Sequence, residues 1–334
     1  MSITSHDVAR LAGVSQPTVS RALRDDPRVS VKTRERVRAA AAALSYVPSA
    51  AGRSLATRAT RRVGVAVSDL TNPFYPYLVA PLHDELERLG YRMMLFTERD
   101  EDAVAAERLL DQSIDGVVLT TATTDSALPA ELARRGLPFV FLNREDGADR
   151  ADAAVVDNSG GAALVAAELA RLGHRRVAGI FGPANTSTGR DRELGFRLAL
   201  AEAGIGLPEA RVRRGPFEFA TGHRALTDLL AAEPAPTAVF CGNDVIAFGA
   251  LDAARRTGVR VPEDLTVIGF DDIPMAAWAA FDLTTVRHDL REMARTAARV
   301  LVGRITGSTA PSPERVVFPA AMVPRGTHAP ASGG

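Results

Sequence analysis

The chain has 334 residues, 46% hydrophobic and 24% charged, a globular composition too long for one compact core, so two or three cores are expected. Cys241 is the only cysteine and the six histidines are scattered, which excludes intrachain disulfides and thiolate clusters and leaves no metal or cofactor expected. The zero net charge is uneven: residues 1–62 hold 12 Lys or Arg against 4 Asp or Glu, while the remainder holds 28 against 36, so a basic head suited to a polyanion precedes an acidic body.

Residues 1–10 lack an apolar signal run, and no later stretch reaches the roughly 18 apolar residues of a membrane span, so a cytoplasmic chain without a membrane partner is expected. Read as a helix, Ser5 to Ala12 puts Val8 and Leu11 on one face, with Ala9 small enough for a second helix to cross closely. Gly13 supplies the left-handed break. Ser15 caps a second helix over Gln16 to Leu23, and Pro17 falls in its first turn, where a missing N–H does no harm. Ala9, Gly13 and Val19 stand at the relative spacing of a DNA-reading helix-turn-helix, a spacing that a structural helical hairpin would share. A third helix, capped by Ser30 and running over Lys32 to Leu44, adds Val37 and Leu44 to close a three-helix core; Tyr46 and Pro48 end it.

The segment DVARLAGVSQPTVSRAL, followed by VSVKTRERVRAAAAALSYVPSAAGRSLA, strongly resembles the head of the LacI/GalR family of bacterial repressors. The resemblance implies a small all-α three-helix DNA-binding domain over residues 1–47 and a hinge over 48–61. It assigns Gln16, Pro17 and Arg21 to the recognition-helix face that meets base edges, Thr18 and Ser20 to phosphate contacts, and Thr4, Ser15 and Arg53 to the wider DNA-binding set. The chemistry agrees: an amide and a guanidinium read purine edges, hydroxyls suit phosphate oxygens, and Pro17 offers only shape or contact with a thymine methyl. The segment SAAGRSLA resembles the family's hinge helix, which folds on the operator as a dimer, with Leu55 at the position that wedges between base steps of the minor groove. Gly52 stands where alanine is common, at a cost of about 1 kcal/mol of helix stability. A flexible linker with an incidental leucine is the plainer alternative.

From Arg62 onward short apolar runs alternate with amphipathic stretches: VGVAVS, a helix near Tyr77 to Leu89, MMLF, a helix over Ala103 to Gln112, and GVVLT. A second series follows with VAGIF, TAVFC and LTVIGF, separated by helical stretches such as Glu193 to Ala203 and Asp244 to Thr257. This βαβ rhythm predicts two doubly wound lobes with parallel sheets, and ligands in such folds sit beyond the carboxyl ends of the strands. Polar residues cluster there: DLTNPFYP after VGVAVS, Arg144 after VFLN, NTSTGRDRELGF after GIFGP, GND after VFC, DD after VIGF.

Residues 62 to about 325 resemble the family's core domain, an α/β two-lobed periplasmic-binding-protein-like fold. The implied N-lobe covers about 62–158 and 287–316, the C-lobe about 159–286 and 317–325, and 326–334 is expected as a disordered tail. By the resemblance Phe74, Arg192, Phe217, Asn243 and Asp271 fall at effector-contacting positions, with Asn143, Thr188 and His288 beside them. An arginine fork, an amide and a carboxylate converging on a cleft hold vicinal hydroxyls from several sides, and the two phenylalanines offer flat apolar contact. Each has a structural alternative: Asp271 or Asp272 as a cap, Asn243 in a strand-to-helix turn, Phe217 as core. No P-loop is present and no Ser-His-Asp set can be assigned from spacing, so no catalytic residue is expected. The expectation is a DNA-binding transcription regulator, most simply a repressor, with operator DNA, a sugar-like effector and a second copy of itself as partners, since the C-terminal tail lacks leucine heptads for a larger assembly. A transport binding protein, an enzyme using the cleft, and a purine- or nucleoside-responsive regulator are the competing readings.

Overall fold

A computed structural model describes residues 3–46, 59–68, 70–97, 114–148, 151–308 and 312–331, which form two compact units divided between Thr60 and Arg61. The first unit is three short helices, α1 (Ser5–Ala12), α2 (Gln16–Ala22) and α3 (Val31–Ala43). Asp7 reaches back to accept from the N–H and hydroxyl of Thr4, closing the first turn of α1, and Gly13 ends it at φ 61°. Ser30 accepts from the Thr33 N–H at the start of α3. Val8, Val19, Ala22 and Val37 are fully buried between the helices. Leu11, expected on the apolar face, is 56% exposed: the stripe that packs is Val8, Ala9 and Ala12, whose two alanines allow close helix crossing. The hinge residues Arg53 and Leu55 and the helix expected over 103–112 lie outside the described residues.

The second unit carries two parallel sheets. The first contains β1 (Arg62–Val67), β2 (Arg92–Thr97), β3 (Gly116–Leu119), β4 (Phe139–Leu142), β5 (Asp152–Val156) and β11 (Arg315–Phe318), in the order β11-β5-β4-β3-β1-β2. The helices α4 (Phe74–Arg88) and α10 (Leu290–Thr306) pack together beside this sheet, and α5 (Leu128–Arg134) packs against β4. The second sheet is β7 (Val212–Arg214), β6 (Val177–Phe181), β8 (Ala238–Cys241) and β9 (Thr266–Ile268). Helix α6 (Asn158–Arg171) packs on α7 (Ser187–Glu202), and α8 (Phe219–Leu230) on α9 (Asp244–Thr257). An antiparallel pair, β10 (Thr285–Arg287) with β12 (Ala321–Val323), joins β9 through bridges at Ile268–Thr284 and Asp271–Arg287. The central strands β1, β3, β5, β6 and β8 are buried along nearly their whole length, which is why they read in the sequence as continuous apolar runs, whereas the edge strands β2, β7 and β11 are partly exposed.

The chain passes between the two lobes near Asp157, near His288 and between Phe318 and Ala321. Val317 and Phe318 pair with Val155 and Val156, so the last pass falls two residues later than the expected boundary at 316. The expected disorder of the tail is corrected for residues 326–331. Thr327 is buried, its carbonyl accepts from Val267 N–H and its hydroxyl oxygen from Thr284 N–H, His174 Nε2 meets the Ala329 carbonyl, and the Ala331 N–H donates to Leu172 O. A Pro- and Gly-rich segment can be ordered without periodicity when its backbone groups find fixed partners.

Candidate functional site

In the helix-turn-helix, α2 presents Pro17 and Arg21 to solvent, and the Arg21 side chain has no hydrogen bond or ion pair among the described residues. Gln16 Nε2 lies 3.2 Å from Ser5 Oγ, and the hydroxyls of Ser15 and Thr18 share a 2.9 Å hydrogen bond. Thr4 and Ser15 are exposed at the two helix starts. Ser20 is held by Arg24, whose Nε and Nη2 donate to its carbonyl and hydroxyl oxygens at 3.0 and 2.9 Å. Sequence reading passed over Arg24; its position four residues after Ser20 on one helix face was the available signal.

In the second unit the carboxyl ends of the strands meet at a narrow, partly open cleft lined by Asn72, Phe74, Tyr75, Asn143, Arg144, Thr188, Arg192, Phe217, Asn243 and Asp271. Seven of the eight expected effector residues line it. The eighth, His288, is off the wall, although it is 5% exposed and neither ring nitrogen has a partner. Burial, helped by the charge of Arg192, pushes its pKa down to about 3, so the ring is neutral. The lobes touch at the cleft rim, where Asn72 Nδ2 donates to Phe217 O at 2.8 Å, Thr124 N–H to Asn185 O at 2.8 Å, and Glu145 N–H to Ser187 Oγ at 3.1 Å.

Arg192, from the first turns of α7, is the centre of the cleft floor and is 2% exposed. Its Nε donates to Asn158 Oδ1 at 2.8 Å, its Nη1 to Gly242 O at 2.7 Å, and its guanidinium lies 3.7 Å over the Phe270 ring. Its Nη2 stands 2.9 Å from Asp271 Oδ1, an ion-pair contact whose N–H is not aligned on that oxygen, so Oδ1 keeps its hydrogen-bonding capacity. Burial pushes the Asp271 carboxyl up to about 6, with Arg192 opposing the rise.

The neighbouring acids explain why Asp271 alone serves the cleft. Asp244 is buried and accepts from Ile273 N–H and the Thr285 hydroxyl, and Asp272 is paired with Arg287 and Arg325. Asp271 and Asp272 have φ of 113° and 50°, a left-handed pair that the bridge of Asp271 to Arg287 holds in place. Asn243 does cap α9, its Oδ1 accepting from Ile246 N–H at 2.9 Å, so its Nδ2 is the part left for a ligand. Among the described residues, the buried side-chain atoms without a hydrogen bond include Asn143 Oδ1, Arg144 Nε, Thr188 Oγ1 and Asp271 Oδ1, all on residues of this one cleft. Arg144 and the segment holding Asn72 were noted at strand ends but not assigned to the effector set, and Asn158, two residues after β5, was passed over. Cys241 is buried and its thiol is pushed up by desolvation; among the described residues no group of His, Cys, Asp and Glu is placed to hold a metal, and no helix is long and apolar enough to cross a membrane.

A helix-turn-helix followed by a two-lobed, periplasmic-binding-protein-like domain with a polar cleft is the build of a DNA-binding transcriptional regulator. Residues 4–49 match the family of bacterial regulatory proteins named for lacI, and residues 166–328 match a periplasmic binding protein-like domain. The HTH-type transcriptional regulator CelR of Thermobifida fusca is 38% identical over 322 residues, covering 93% of this chain and 94% of that one. The ribose operon repressor of Escherichia coli K12 is 37% identical over 312 residues, covering 92% and 94%. Among solved structures, a lac repressor dimer bound to operator and an anti-inducer superimposes with a TM-score of 0.88 at 28% identity, covering 98% of this chain and all of that one. A CelR–cellobiose complex superimposes with a TM-score of 0.76 at 35% identity over 98% of this chain and 100% of that one. The chain belongs to the LacI family of bacterial regulatory proteins. The relatives are transcriptional regulators, not enzymes.

Proposed function

We propose that this protein is a repressor that binds a twofold-symmetric operator as a homodimer through α2 and is controlled by a sugar or sugar derivative held between the lobes by Arg192, Asn243 and Asp271, with Phe74, Asn143, Thr188 and Phe217 around it. One observation carries the ligand reading: buried atoms of Asn143, Thr188 and Asp271 converge on the cleft without a protein hydrogen bond, Asp271 Oδ1 meeting only the charge of Arg192, a costly arrangement unless a ligand with many hydroxyls completes it. The cellobiose complex of CelR and the name of the ribose operon repressor support the same class. The Phe217 ring carries the Arg144 guanidinium at 5.2 Å, which favours a polar ligand over a purine stacked on that face. The dimer reading is supported by the lac repressor dimer. Leu55 and Arg53 are proposed to act in the minor groove, Leu55 as the wedge.

Closure of the lobes on an effector would couple to DNA because a ligand shifts only those equilibria in which it binds the two states differently. The test is footprinting on the DNA upstream of the protein's own gene, with and without cellobiose, ribose and nucleobases, on the wild type and Asp271→Ala. An inverted-repeat footprint modulated by a sugar in the wild type and unmodulated in the variant is expected. A footprint without symmetry would overturn the dimer, and a response to nucleobases alone would overturn the ligand class.

A further inference from the structure

The charges lining the cleft do not cancel. Three ionisable side chains from its wall carry the balance: Arg144, Arg192 and Asp271. Arg192 is matched, with Asp271 at 2.9 Å, two oxygen acceptors and an aromatic face. Arg144 is not. Its Nε is buried without a hydrogen bond, its guanidinium lies 5.2 Å from the centre of the Phe217 ring, and among the described residues no carboxylate makes a hydrogen bond or ion-pair contact with it, the Asp271 charge reaching it only at longer range. The acids beside it in sequence are committed elsewhere: Glu145 holds Arg315 through both oxygens at 3.0 and 2.7 Å, and Asp146 accepts from the Ala148 N–H.

A buried donor on a charged group left unmet is among the more expensive features a fold can keep, and a guanidinium fork over an aromatic ring can receive a carboxylate or phosphate through parallel hydrogen bonds. Neutral hydroxyls can fill the hydrogen-bonding positions of Arg192, Asn243 and Asp271, but they leave the surplus charge of Arg144 in place. We propose that the effector is an anionic sugar derivative, a sugar acid or sugar phosphate, whose negative group is held by Arg144 while its hydroxyls occupy the rest of the cleft. This rests on the reading of the cleft as a sugar site and narrows it by charge.

The experiment is calorimetric titration of the full chain with matched neutral and anionic ligands: glucose with glucuronate and glucose phosphate, galactose with galacturonate, ribose with ribose phosphate, and cellobiose with its aldonic acid. A charged member is expected to bind roughly 10- to 100-fold more tightly than its neutral parent, the size of a charge-assisted hydrogen-bond contribution. Carboxylate against phosphate members of the panel tells the two sources of charge apart. Arg144→Gln, shown by melting to be folded, should erase the preference while Arg144→Lys keeps it in part, and added salt should weaken the charged ligand more than the neutral one. Neutral parents binding as tightly as their anions, or an anion preference unchanged in Arg144→Gln, would overturn the charge assignment and leave the sugar reading standing. Nucleobase binding with no sugar hit of either charge would overturn both.

Discussion

Replacing Arg192 with methionine tests the central claim about the cleft. The substitution keeps the buried aliphatic volume but strands three oxygens that now have a donor or cation within 2.9 Å: Asn158 Oδ1, Gly242 O and Asp271 Oδ1. An unmet buried hydrogen-bonding group costs about 1–3 kcal/mol, and removing one partner of a buried ion pair costs about 3–5 kcal/mol. These do not sum, because Asp271, already at about 6, escapes part of its cost by keeping its proton once the cation that opposes its rise is gone. A net loss of about 3–5 kcal/mol follows, and at roughly 2–4 °C per kcal/mol the melting temperature should fall by about 6–20 °C. The sign of the pH dependence is set by the same group. A carboxyl whose folded pKa lies above its unfolded value binds more protons when folded, so its penalty grows as pH rises from the unfolded toward the folded value. The deficit of Arg192→Met should therefore be larger at pH 8 than at pH 6. Urea unfolding of wild type, Arg192→Met and Arg192→Met/Asp271→Asn is the assay, and the double variant should recover at least about 1 kcal/mol because the stranded charge is gone. A single variant within about 1 kcal/mol of wild type, or a double variant no better than the single, would refute the account of Arg192 and Asp271 as a coupled buried pair.

Four further outcomes follow from the structure. In the wild type, the Asp271 carboxyl at about 6 against an ordinary 3.8 implies a stability penalty that grows between pH 4 and 6 to roughly 3 kcal/mol, so the difference between wild type and Asp271→Asn in chemical unfolding should drift by about that amount across the window. Gly222→Ala should destabilise by about 2–3 kcal/mol by chemical denaturation, because a Cβ there would meet the Ile246 carbonyl oxygen of α9, and the helix-propensity gain of about 1 kcal/mol does not offset that clash. Truncation after Arg325 should cost at least about 3 kcal/mol in thermal or urea unfolding, since Val267, Thr284 and Leu172 backbone groups and His174 lose partners; an unchanged melt would mean the segment is passive. Arg21→Ala should lower affinity for the operator by about 1–3 kcal/mol while leaving binding to random DNA nearly unchanged; equal losses on both would place Arg21 on phosphate rather than on a base edge.

Much of the fold was legible without coordinates because its signals are local. Continuous apolar runs gave the buried parallel strands and the polar stretches after them marked the cleft end of the sheets, since the carboxyl ends of strands in a doubly wound sheet all face one way, while the seven lining residues themselves came from the resemblance to the LacI/GalR core. Cap chemistry placed the starts of α2 and α3 to within a residue, with Ser15 and Ser30 standing just before them. Where the reading failed, periodicity was the wrong instrument. Leu11 has a core residue's identity but not a core position, because the crossing of α1 with its neighbours selected the small side chains beside it. The segment 326–331 has no period at all and is held by hydrogen bonds to strands and helices far away in sequence.

The distinction is clearest between Asp271 and Asp272. Composition and spacing make the two aspartates equivalent, yet one lines the cleft beside Arg192 and the other is locked between Arg287 and Arg325. The sequence determined that acids follow β9, that an arginine lies in the first turns of α7 and that another follows β4. Only the tertiary structure decided which acid meets which base, and that Arg144 makes no ion-pair contact among the described residues. Alternation and capping are encoded over a few neighbouring residues, whereas charge pairing and burial depend on chain segments more than 70 residues apart, such as Arg192 and Asp271, whose mutual distance no local pattern records.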